Sequence, residues 1–321
     1  MPPLALPTLS IVIPTFDTRE LTLRCLTSLQ GLSSGAEIVV VDDGSSDGTS
    51  EAITSLSISS PCRVVRHETP QGFSRAANRG YAETTGEVVW VLNSDTEVES
   101  DAVAALLGAF HRDPQLAAAG AALTYPDGRP QWSGGPEPTP LWLAAHASGL
   151  GELLGNWRRS RRTSARDPER QGHLPIPVDW VTGAAIAIRR TAVQKLSSGP
   201  PFDERFRFYA QDLDLCVRLR AAGGRIVILP AVRVRHHHGA TISKAKEASA
   251  SRHLELLWSD LIDWAAIRGR RKGRRAARAL AVGAMARQLG RAGASILGHG
   301  EALKHGDAGR IDLTHSAARW S

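Results

Sequence analysis

The sequence predicts an α/β domain with parallel strands, followed by a basic helical extension. Short apolar runs rich in β-branched residues alternate with helical patterns over the first hundred residues, and polar residues follow each run. The entire net charge of +7 lies in residues 252–321, which hold 13 Lys and Arg against 6 Asp and Glu. With 42% hydrophobic and 22% charged residues, the composition is that of a folded globular chain and excludes disordered or fibrous proteins.

Residues 9–100 carry the most regular pattern. Four apolar runs predict buried strands at 9–14, 37–41, 63–67 and 87–92. Helical spacing predicts helices at 18–30, with Thr18 as a candidate cap, and at 47–56. Strands that alternate with helices predict parallel βαβ units, whose ligands bind at the carboxyl ends of the strands. The polar residues after each strand are therefore the first candidates for a functional site.

The pattern is less regular in residues 101–251. We expect a helix at 101–110, a strand or bend of small residues at 116–125, and a long surface excursion at 125–177, where Pro, Gly and Arg are frequent. A strand is predicted at 180–188, a helix at 212–222 that ends at Gly223-Gly224, and a further strand at 225–229. We divide the chain into a domain of residues 1–251, with halves at about 9–100 and 101–251, and an extension of residues 252–321.

The cysteines and the apolar runs indicate the cellular compartment. Cys25, Cys62 and Cys216 form no Cys-x-x-Cys pair, so the sequence predicts no disulfide framework and no cysteine zinc site, which favours a reducing compartment such as the cytoplasm. The first fourteen residues lack a basic region and contain four prolines, so we do not expect a signal peptide. No apolar run reaches the ~18 residues that a membrane-spanning helix needs.

Two adjacent carboxylates, Asp42 and Asp43, follow the second predicted strand. Carboxylates at this position can accept hydrogen bonds from a ribose or a base N–H, and the glycine turn that follows lets a ligand approach the backbone. The alternative is an Asx turn with helix capping. For Asp47 we predict the cap, and for Asp42 and Asp43 the ligand site, because capping does not need both.

Asn93, Ser94 and Asp95 follow the fourth predicted strand. A carboxylate at a strand tip beside a second oxygen ligand suits Mg²⁺ or Mn²⁺, which completes its shell with phosphate and water. The alternative is a polar loop that caps the next helix. His236, the first of three adjacent histidines after the last strand, is either a metal ligand or a packed ring.

Asp212 and Asp214 lie near the start of one predicted helix. Two residues apart, they point about 200° away from each other, so a shared site is not expected. We predict that Asp214 pairs with Arg218 at i+4, which leaves Asp212 as a candidate general base. The alternative for Asp212 is an N-cap.

Eight segments, in this order and spacing, resemble the inverting family 2 glycosyltransferases, and most of all their bacterial rhamnosyltransferase-like branch. The segments are IVIPTF, VVVDDGSSDGT, GFSRAANRG, LNSDTEV, VTGAAIAIRR, FDERF, AQDLDLCVRLRAAG and HHHGAT. They cover about residues 9–243, and eight matches together are specific where each alone is not. The resemblance implies the GT-A fold, a single nucleotide-binding Rossmann-like mixed sheet flanked by helices. Its nucleotide-sugar half is then at about 9–100 and its acceptor half at about 101–251.

The resemblance also implies a nucleoside-diphosphate sugar as donor, linked to dTDP, UDP or GDP. It implies these donor-binding residues: Pro14, Thr15, Asp17, Asp42, Asp43, Gly72, Arg75, Asn78, Asn93 and Ser94. Asp95 and His236 then hold a divalent cation, Mg²⁺ or Mn²⁺, and Asp212 is the catalytic base. Trp180, Thr182, Gly183 and Gln211 are expected on the acceptor side.

On this basis we expect an inverting transfer of a hexosyl group to a hydroxyl of an acceptor saccharide or lipid-linked glycan, in cell-surface polysaccharide or glycolipid synthesis. The branch favours rhamnosyl. Asn93 stands where the family's metal motif has an acid, and Gln211 where a glutamate precedes the base, so a catalytically degenerate homologue that binds nucleotide sugar is one alternative. A sugar nucleotidyltransferase is another, although the glycine-rich loop that such enzymes use for the triphosphate is missing after the first strand.

The extension predicts contact with an anionic partner. Leucines and isoleucine recur at helical spacing beside two tryptophans, and residues 268–278 hold seven basic residues and no acid; the apolar set is Leu254, Leu257, Trp258, Leu261, Ile262 and Trp264. An amphipathic helix beside a basic run suits an anionic membrane surface. A helix packed on the domain or an oligomer contact is an equal alternative. Nucleic acid is not expected, because no aromatic residues interleave with the basic cluster. We expect a cytoplasmic protein that is peripheral on the inner face of the membrane if the extension docks there.

Overall fold

The computed structural model describes residues 6–31, 35–56, 61–149, 174–196, 199–206, 209–237 and 248–296. Its strands are β1 Leu9–Thr15, β2 Glu37–Asp42, β3 Cys62–Arg66, β4 Val88–Leu92, β5 Thr96–Val98, β6 Leu116–Thr124, β7 Gly134–Gly135, β8 Ile176–Pro177, β9 Trp180–Val181, β10 Ala185–Arg189 and β11 Arg225–His236. Its helices are α1 Arg19–Ser28, α2 Thr49–Thr54, α3 Phe73–Ala82, α4 Ala102–Arg112, α5 Pro140–Ala147, α6 Arg190–Gln194, α7 Gln211–Ala221, α8 Ala248–Ile267 and α9 Arg270–Ile296.

One mixed sheet forms the centre of the fold, with the strand order β3-β2-β1-β4-β10-β6-β11-β5, and β8 pairs with β11. The first four strands are parallel, whereas β10 runs antiparallel to both β4 and β6. Every residue of β1, β4 and the first eight positions of β6 is buried, as expected for strands covered on both faces. The predicted α/β class with a mixed, mostly parallel sheet is therefore confirmed.

The first helices cover the sheet with apolar side chains. Cys25, Leu26 and Leu29 are buried around α1, and Leu106 and Phe110 are buried on α4. Helix α3 approaches the sheet more closely than a side chain would allow. A Cβ added at Gly80 would lie 2.2 Å from Val12 Cγ1, so the close packing requires glycine at this position.

Helix ends follow local chemistry. The prediction of Asp47 as the cap is wrong, because Gly48 occupies the N-cap position of α2 and no side-chain capping bond is present there. Asp47 lies one residue earlier, where its Oδ1 accepts a hydrogen bond from Thr49 N at 3.2 Å in an Asx turn and its Oδ2 accepts one from Arg19 N at 3.0 Å. Thr18 occupies the N-cap position of α1, but its side chain makes no capping hydrogen bond. Its hydroxyl bonds other hydroxyl groups instead. Helix α7 ends before Gly223, whose φ of +86° is the left-handed conformation expected after a helix.

Two expectations on secondary structure need correction. The apolar run at 180–188 forms two strands, because the chain turns at 182–184 between β9 and β10 and sends the two parts to different partners. The segment 125–177 is more than a surface excursion in its described part. It contains β7 and α5, where Thr139 caps the helix and Leu143 and Ala147 are buried.

The chain forms two compact units. The first comprises residues 1–136, 164–207 and 211–241, and includes β1–β11 with α1–α4, α6 and α7. The second comprises residues 137–163, 208–210 and 242–321, and includes α5, α8 and α9. Helix α5 thus joins the C-terminal helices, a grouping that no local pattern indicates. The boundary at 251/252 stays a prediction.

The apolar face expected to enter a membrane is buried in the protein. Trp258, Leu261, Ile262 and Trp264 on α8 are between 1% and 6% exposed. Leu257 is half-buried, and the side chain of Leu254 lies outside the described residues. Of the equal alternatives for this face, the structure shows packing within the protein and not a lipid-facing surface, because these side chains form part of the core. Among the helices that the structure describes, none is both long and apolar enough to cross a bilayer.

Candidate active site

Strand β10 brings the predicted donor-side residues at 93–95 close to the predicted acceptor-side residues at 182–183, at the carboxyl end of β4. Because β10 is antiparallel to β4, its first residue, Ala185, pairs with the last residue of β4, Leu92. The pairing continues into the loops, where Asn93 N donates to Ala184 O at 2.9 Å. The segment 93–95 therefore lies beside the turn that contains Thr182 and Gly183.

A cluster of buried hydroxyl groups joins the end of β1 to the end of β4. Thr15 Oγ1 lies 2.9 Å from Thr18 Oγ1 and 2.7 Å from Thr22 Oγ1, and Thr18 Oγ1 lies 2.8 Å from Ser94 Oγ. Thr15 is 3% and Ser94 8% exposed. Two of the predicted donor-side residues are thus held in one hydrogen-bonded network.

Asp17 connects the loop after β1 with the loop after β2. Its backbone N donates to Ser45 Oγ at 2.9 Å, and its Oδ1 accepts from Ser46 N at 2.7 Å. Its φ of +49° is unusual for a residue other than glycine and fits a short polar side chain that bonds locally. Pro14 lies just before this turn and pairs with Val41 in the parallel ladder. These bonds fix the rim on which the donor is expected to bind.

Asp42 is the fully buried last residue of β2. Its Oδ1 accepts from Ser45 N at 2.8 Å, and its Oδ2 contacts Ser50 Oγ and the Arg66 guanidinium. Burial alone raises the pKa of this carboxyl, but the hydrogen bonds from Ser45 and Ser50 and the charge of Arg66 outweigh it and lower the pKa. The contacts show a carboxylate that holds its own loop, and donor contact by Asp42 stays a prediction.

Asp43 anchors the segment that leads into α3. Its carboxylate accepts from Gln71 N at 2.9 Å and from Gly72 N at 2.7 Å, and its Oδ1 lies 2.7 Å from His67 Nδ1. Gly72 has a φ of +92°, a conformation that favours glycine. Asp43 therefore holds the predicted donor-binding segment against the end of β2.

Arg75 and Asn78 on α3 differ in their environment. Arg75 is exposed and bonds Gln71 Oε1 at 2.8 Å and Glu204 at 3.2 Å. Asn78 is buried, its Nδ2 donates to Phe202 O at 2.8 Å, and its Oδ1 accepts from Phe202 N at 3.0 Å. Asn78 thus braces α3 against the chain at residue 202, and these bonds do not support its predicted contact with a donor.

Asp95 and His236 meet at the predicted cation position. β11 ends at His236, which pairs with Thr96 of β5, and His236 Nε2 lies 3.2 Å from Asp95 Oδ1. Asp95 is 8% and His236 7% exposed. The other ring nitrogen of His236 contacts Gln131, with Gln131 Oε1 2.9 Å from His236 Nδ1. Gln131 Nε2 also donates to the backbone oxygen of His236 at 2.9 Å.

These bonds determine which ring nitrogen faces Asp95. Because the Gln131 amide nitrogen already donates to the carbonyl of His236, its oxygen is the atom that faces Nδ1 and accepts a hydrogen bond from it. Nε2 is therefore the nitrogen that faces Asp95 Oδ1, at 3.2 Å. An imidazole nitrogen and a carboxylate oxygen at this distance are ligand types that a divalent cation accepts, with phosphate and water to complete its shell. The described residues contain no cluster of three or more His, Cys, Asp or Glu that could hold a metal alone.

Asp212 lies at the start of α7 and faces the turn between β9 and β10. Its Oδ2 accepts from Gly183 N at 2.8 Å and its Oδ1 accepts from Leu213 N at 2.8 Å. Burial raises the pKa of this carboxyl, and the two backbone hydrogen bonds oppose that change. As predicted, Asp214 points elsewhere and pairs with Arg218, with Oδ2 and Nε 2.6 Å apart.

An aromatic pair lies on the predicted acceptor side. The rings of Trp132 and Trp180 pack edge to face, with centroids 5.0 Å apart, and Trp180 Nε1 donates to Pro136 O at 3.0 Å. Thr182 N donates to Ser133 O at 3.0 Å, which ties the turn to the segment around β7. Gln211 is buried as the first residue of α7.

Sequence reasoning missed three residues that shape the site. Gln131 and Trp132 lie in the segment 125–177, whose irregular composition gives no local signal for either contact. His67 ends the third predicted strand and contacts Asp43 across the sheet edge. The HHHGAT segment is described only as far as His237.

Comparisons with known proteins show which family this chain belongs to. A profile of the family described as Glycosyl transferase family 2 matches residues 10–196. The chain is 28% identical over 269 residues to the N-acetylglucosaminyl-diphospho-decaprenol L-rhamnosyltransferase of Mycobacterium tuberculosis, an alignment that covers 79% of this chain and 84% of the relative. It is 29% identical over 230 residues to the pre-mycofactocin glycosyltransferase of the same species, covering 71% of this chain and 42% of that protein.

Among solved structures, the fold is similar to the mannosyltransferase PcManGT of Pyrobaculum calidifontis, solved with GDP-Man and Mn²⁺. The TM-score is 0.58 at 18% identity, and the match covers 98% of this chain and 85% of that chain. This likeness supports the GT-A fold. Since the family profile spans more than half of the sequence, the chain belongs to glycosyl transferase family 2 and is a rhamnosyltransferase-like glycosyltransferase.

Proposed function

We propose that this protein transfers a hexosyl group, with rhamnosyl as the first choice, from a nucleoside-diphosphate sugar to a hydroxyl of a polyprenyl-diphosphate-linked saccharide, with inversion at the anomeric carbon. One observation carries the proposal. Gly183, in the turn before β10, donates its backbone N–H to the Asp212 carboxylate. Strand β10 then pairs with β4, and Asp95 lies in the loop that follows β4. This arrangement supports a base at Asp212 and a diphosphate site at Asp95 on neighbouring loops.

Asp212 has the properties of the general base. Its pKa is raised by burial, which makes the carboxylate a better proton acceptor than an ordinary aspartate. In the proposed reaction it takes the proton of the acceptor hydroxyl as that oxygen bonds to the anomeric carbon and the bond to the departing nucleoside diphosphate breaks. One base is sufficient for inversion, and no second carboxylate nucleophile is needed.

The donor side is proposed at the loops after β1, β2 and β4. Asp17, Asp43 and Gly72 shape its rim through the bonds described above, and Thr15 and Ser94 support its floor. Asp95 and His236 are the residues that would hold Mg²⁺ or Mn²⁺ there. When bound, such an ion supplies positive charge opposite the diphosphate and stabilises it as a leaving group. Gln131 holds the His236 ring so that Nε2 faces this position.

The acceptor class follows from the mycobacterial relative, whose name states a decaprenol-linked substrate. We extend that class to this chain, which makes cell-envelope polysaccharide synthesis the proposed process and the inner face of the membrane the proposed place of action. Trp132 and Trp180 provide apolar ring surface near the turn at Thr182, as a sugar face requires.

A donor panel followed by a transfer assay tests this function. We expect calorimetry to show that one of UDP, GDP or dTDP binds more tightly with Mg²⁺ or Mn²⁺ than without, and the matching sugar nucleotide to release its diphosphate when a polyprenyl-diphosphate saccharide is added. Asp43→Ala is expected to weaken nucleotide binding, and Asp95→Ala to remove the effect of the cation.

Asp127→Asn is the matched control, because Asp127 is an exposed carboxylate paired only locally with Arg129. It is expected to change neither binding nor transfer. Unchanged nucleotide affinity in both Asp43→Ala and Asp95→Ala would refute the donor site. Nucleotide-sugar binding without any transfer, across donors and acceptors, would favour a degenerate binding protein.

A further inference from the structure

Helix α9 has a tightly packed face. Ala276 and Leu280 are 2% and 1% exposed, and Gly273 and Gly283 are also buried. A Cβ added at Gly283 would lie 2.3 Å from Ala144 O of α5. The small residues on this face therefore allow α9 to pack closely within the second unit, where it contacts α5 and α8.

The opposite face of α9 is exposed. At about 100° per residue, seven positions fall within an arc of about 100° on the side away from the packed residues. We call them the α9 stripe: Arg271, Arg274, Arg275, Arg278, Val282, Met285 and Leu289. All seven are exposed, and Val282, Met285 and Leu289 are 65%, 63% and 68% exposed.

The α9 stripe is basic in its first half and apolar in its second half. The range Arg270–Ile296 contains no Asp or Glu, so no acid on the helix offsets the four arginines. Single exposed aliphatic residues are ordinary on a protein surface, but a row of three in line with four cations is not. Cations beside exposed apolar side chains on one helix face are the combination that interfacial binding to anionic lipid requires.

We propose that the α9 stripe docks this protein on an anionic lipid surface. The arginines contact headgroup phosphates, and Val282, Met285 and Leu289 insert among the upper parts of the acyl chains. The four arginines complement the negative charge of the lipid headgroups, and the three apolar side chains beside them favour lipid over other anionic partners. A nucleic acid would use the basic half and leave the apolar half in water. The inference goes beyond the proposed function and rests on it only for the membrane location of the acceptor.

Co-sedimentation of the full chain with vesicles tests the proposal. We expect binding to phosphatidylcholine vesicles that contain phosphatidylglycerol, no binding to phosphatidylcholine alone, and release in high salt. Each cation near an anionic leaflet strengthens binding about fivefold. The triple variant Arg271→Glu, Arg275→Glu and Arg278→Glu is therefore expected to weaken vesicle binding by tenfold or more. A second triple variant, Val282→Ser, Met285→Ser and Leu289→Ser, should weaken it to a similar degree.

The control variant Arg24→Glu, Arg112→Glu and Arg129→Glu makes the same change in charge on exposed residues of the first unit and should keep vesicle binding. Equal loss in this control, binding to neutral vesicles, or no binding to anionic vesicles would overturn the proposal. RNA binding that needs the arginines but not the apolar residues would assign the stripe to nucleic acid. A dimer that the serine variant dissociates would assign it to a second copy.

Calorimetry with nucleotide on the same variants separates this proposal from the proposed function. The stripe variants should bind nucleotide as the parent does. Loss of vesicle binding with intact nucleotide binding supports docking by the α9 stripe, whatever the donor and acceptor turn out to be.

Discussion

Replacing Asp212 with asparagine separates the chemical step from donor binding. Both oxygens of the carboxylate accept a backbone N–H, from Gly183 and Leu213, each at 2.8 Å. Asparagine has one acceptor oxygen, so one of the two N–H groups then faces an amide NH₂. An unpaired buried donor costs about 1–3 kcal/mol, and the loss of a buried negative charge offsets part of this cost. Loss of a general base lowers kcat by ~10²-fold or more, which corresponds to about 2.7 kcal/mol in the barrier.

The raised pKa of Asp212 also predicts how kcat and stability depend on pH. Burial raises the pKa of Asp212, so the base becomes protonated at a higher pH than an ordinary aspartate does, and kcat falls as the pH decreases through that raised pKa. In the folded state the proton is bound more tightly than in the unfolded state. The stabilisation from the protonated carboxyl is therefore present below the unfolded pKa and is lost as the pH rises through the folded pKa. Asp212→Asn removes this contribution, since asparagine does not titrate.

Three measurements on the parent protein and on Asp212→Asn test the assignment of Asp212 as the base. Single-turnover kinetics give the chemical step, calorimetry gives nucleotide affinity, and thermal melting gives stability, where each kcal/mol shifts the Tm by about 2–4 °C in a unit of this size. The expected result is a large loss in the chemical step with nucleotide affinity kept. A variant that retains more than about a tenth of the parent kcat would refute the assignment of Asp212 as base.

Three further substitutions test other parts of the structure. Gln131→Leu releases the His236 ring and is expected to weaken Mn²⁺ binding in the presence of nucleotide by about 10-fold or more, measured by calorimetry; unchanged affinity would contradict the orienting role. Asp214→Asn breaks the partly buried pair with Arg218 and should lower the free energy of unfolding by about 1–3 kcal/mol while kcat stays within about twofold, and a selective loss of kcat would reverse the roles of the two aspartates. Gly80→Ala forces a Cβ to within 2.2 Å of a buried valine of β1 and should lower the free energy of unfolding by about 1–3 kcal/mol in chemical denaturation, and a variant as stable as the parent would contradict the close packing of α3.

Local sequence patterns predict most of the fold and part of the candidate site. The buried strands and the pair of Asp214 with Arg218 follow from short-range spacing, and the structure contains both. The carboxylates at the strand ends were also recognisable, because parallel strands bring their carboxyl ends to one edge.

The remaining features depend on long-range contacts that leave no periodic trace. Residues 180–188 read as one apolar strand, and only pairing with different partners explains why the chain turns at Gly183. Gln131 bonds a residue 105 positions away, from a segment without regular pattern. The apolar face of α8 looks like a lipid-binding face in the sequence, since core and membrane both select leucine and tryptophan. Burial in the folded chain distinguishes the two.

The antiparallel pairing of β4 with β10 makes the spacing of two loops independent of the chain length between them. The ladder that joins Leu92 to Ala185 holds the segment 93–95 beside the turn at 182–184. A five-residue strand therefore sets this spacing, and a change in the length of the chain that connects the two loops leaves it as it is.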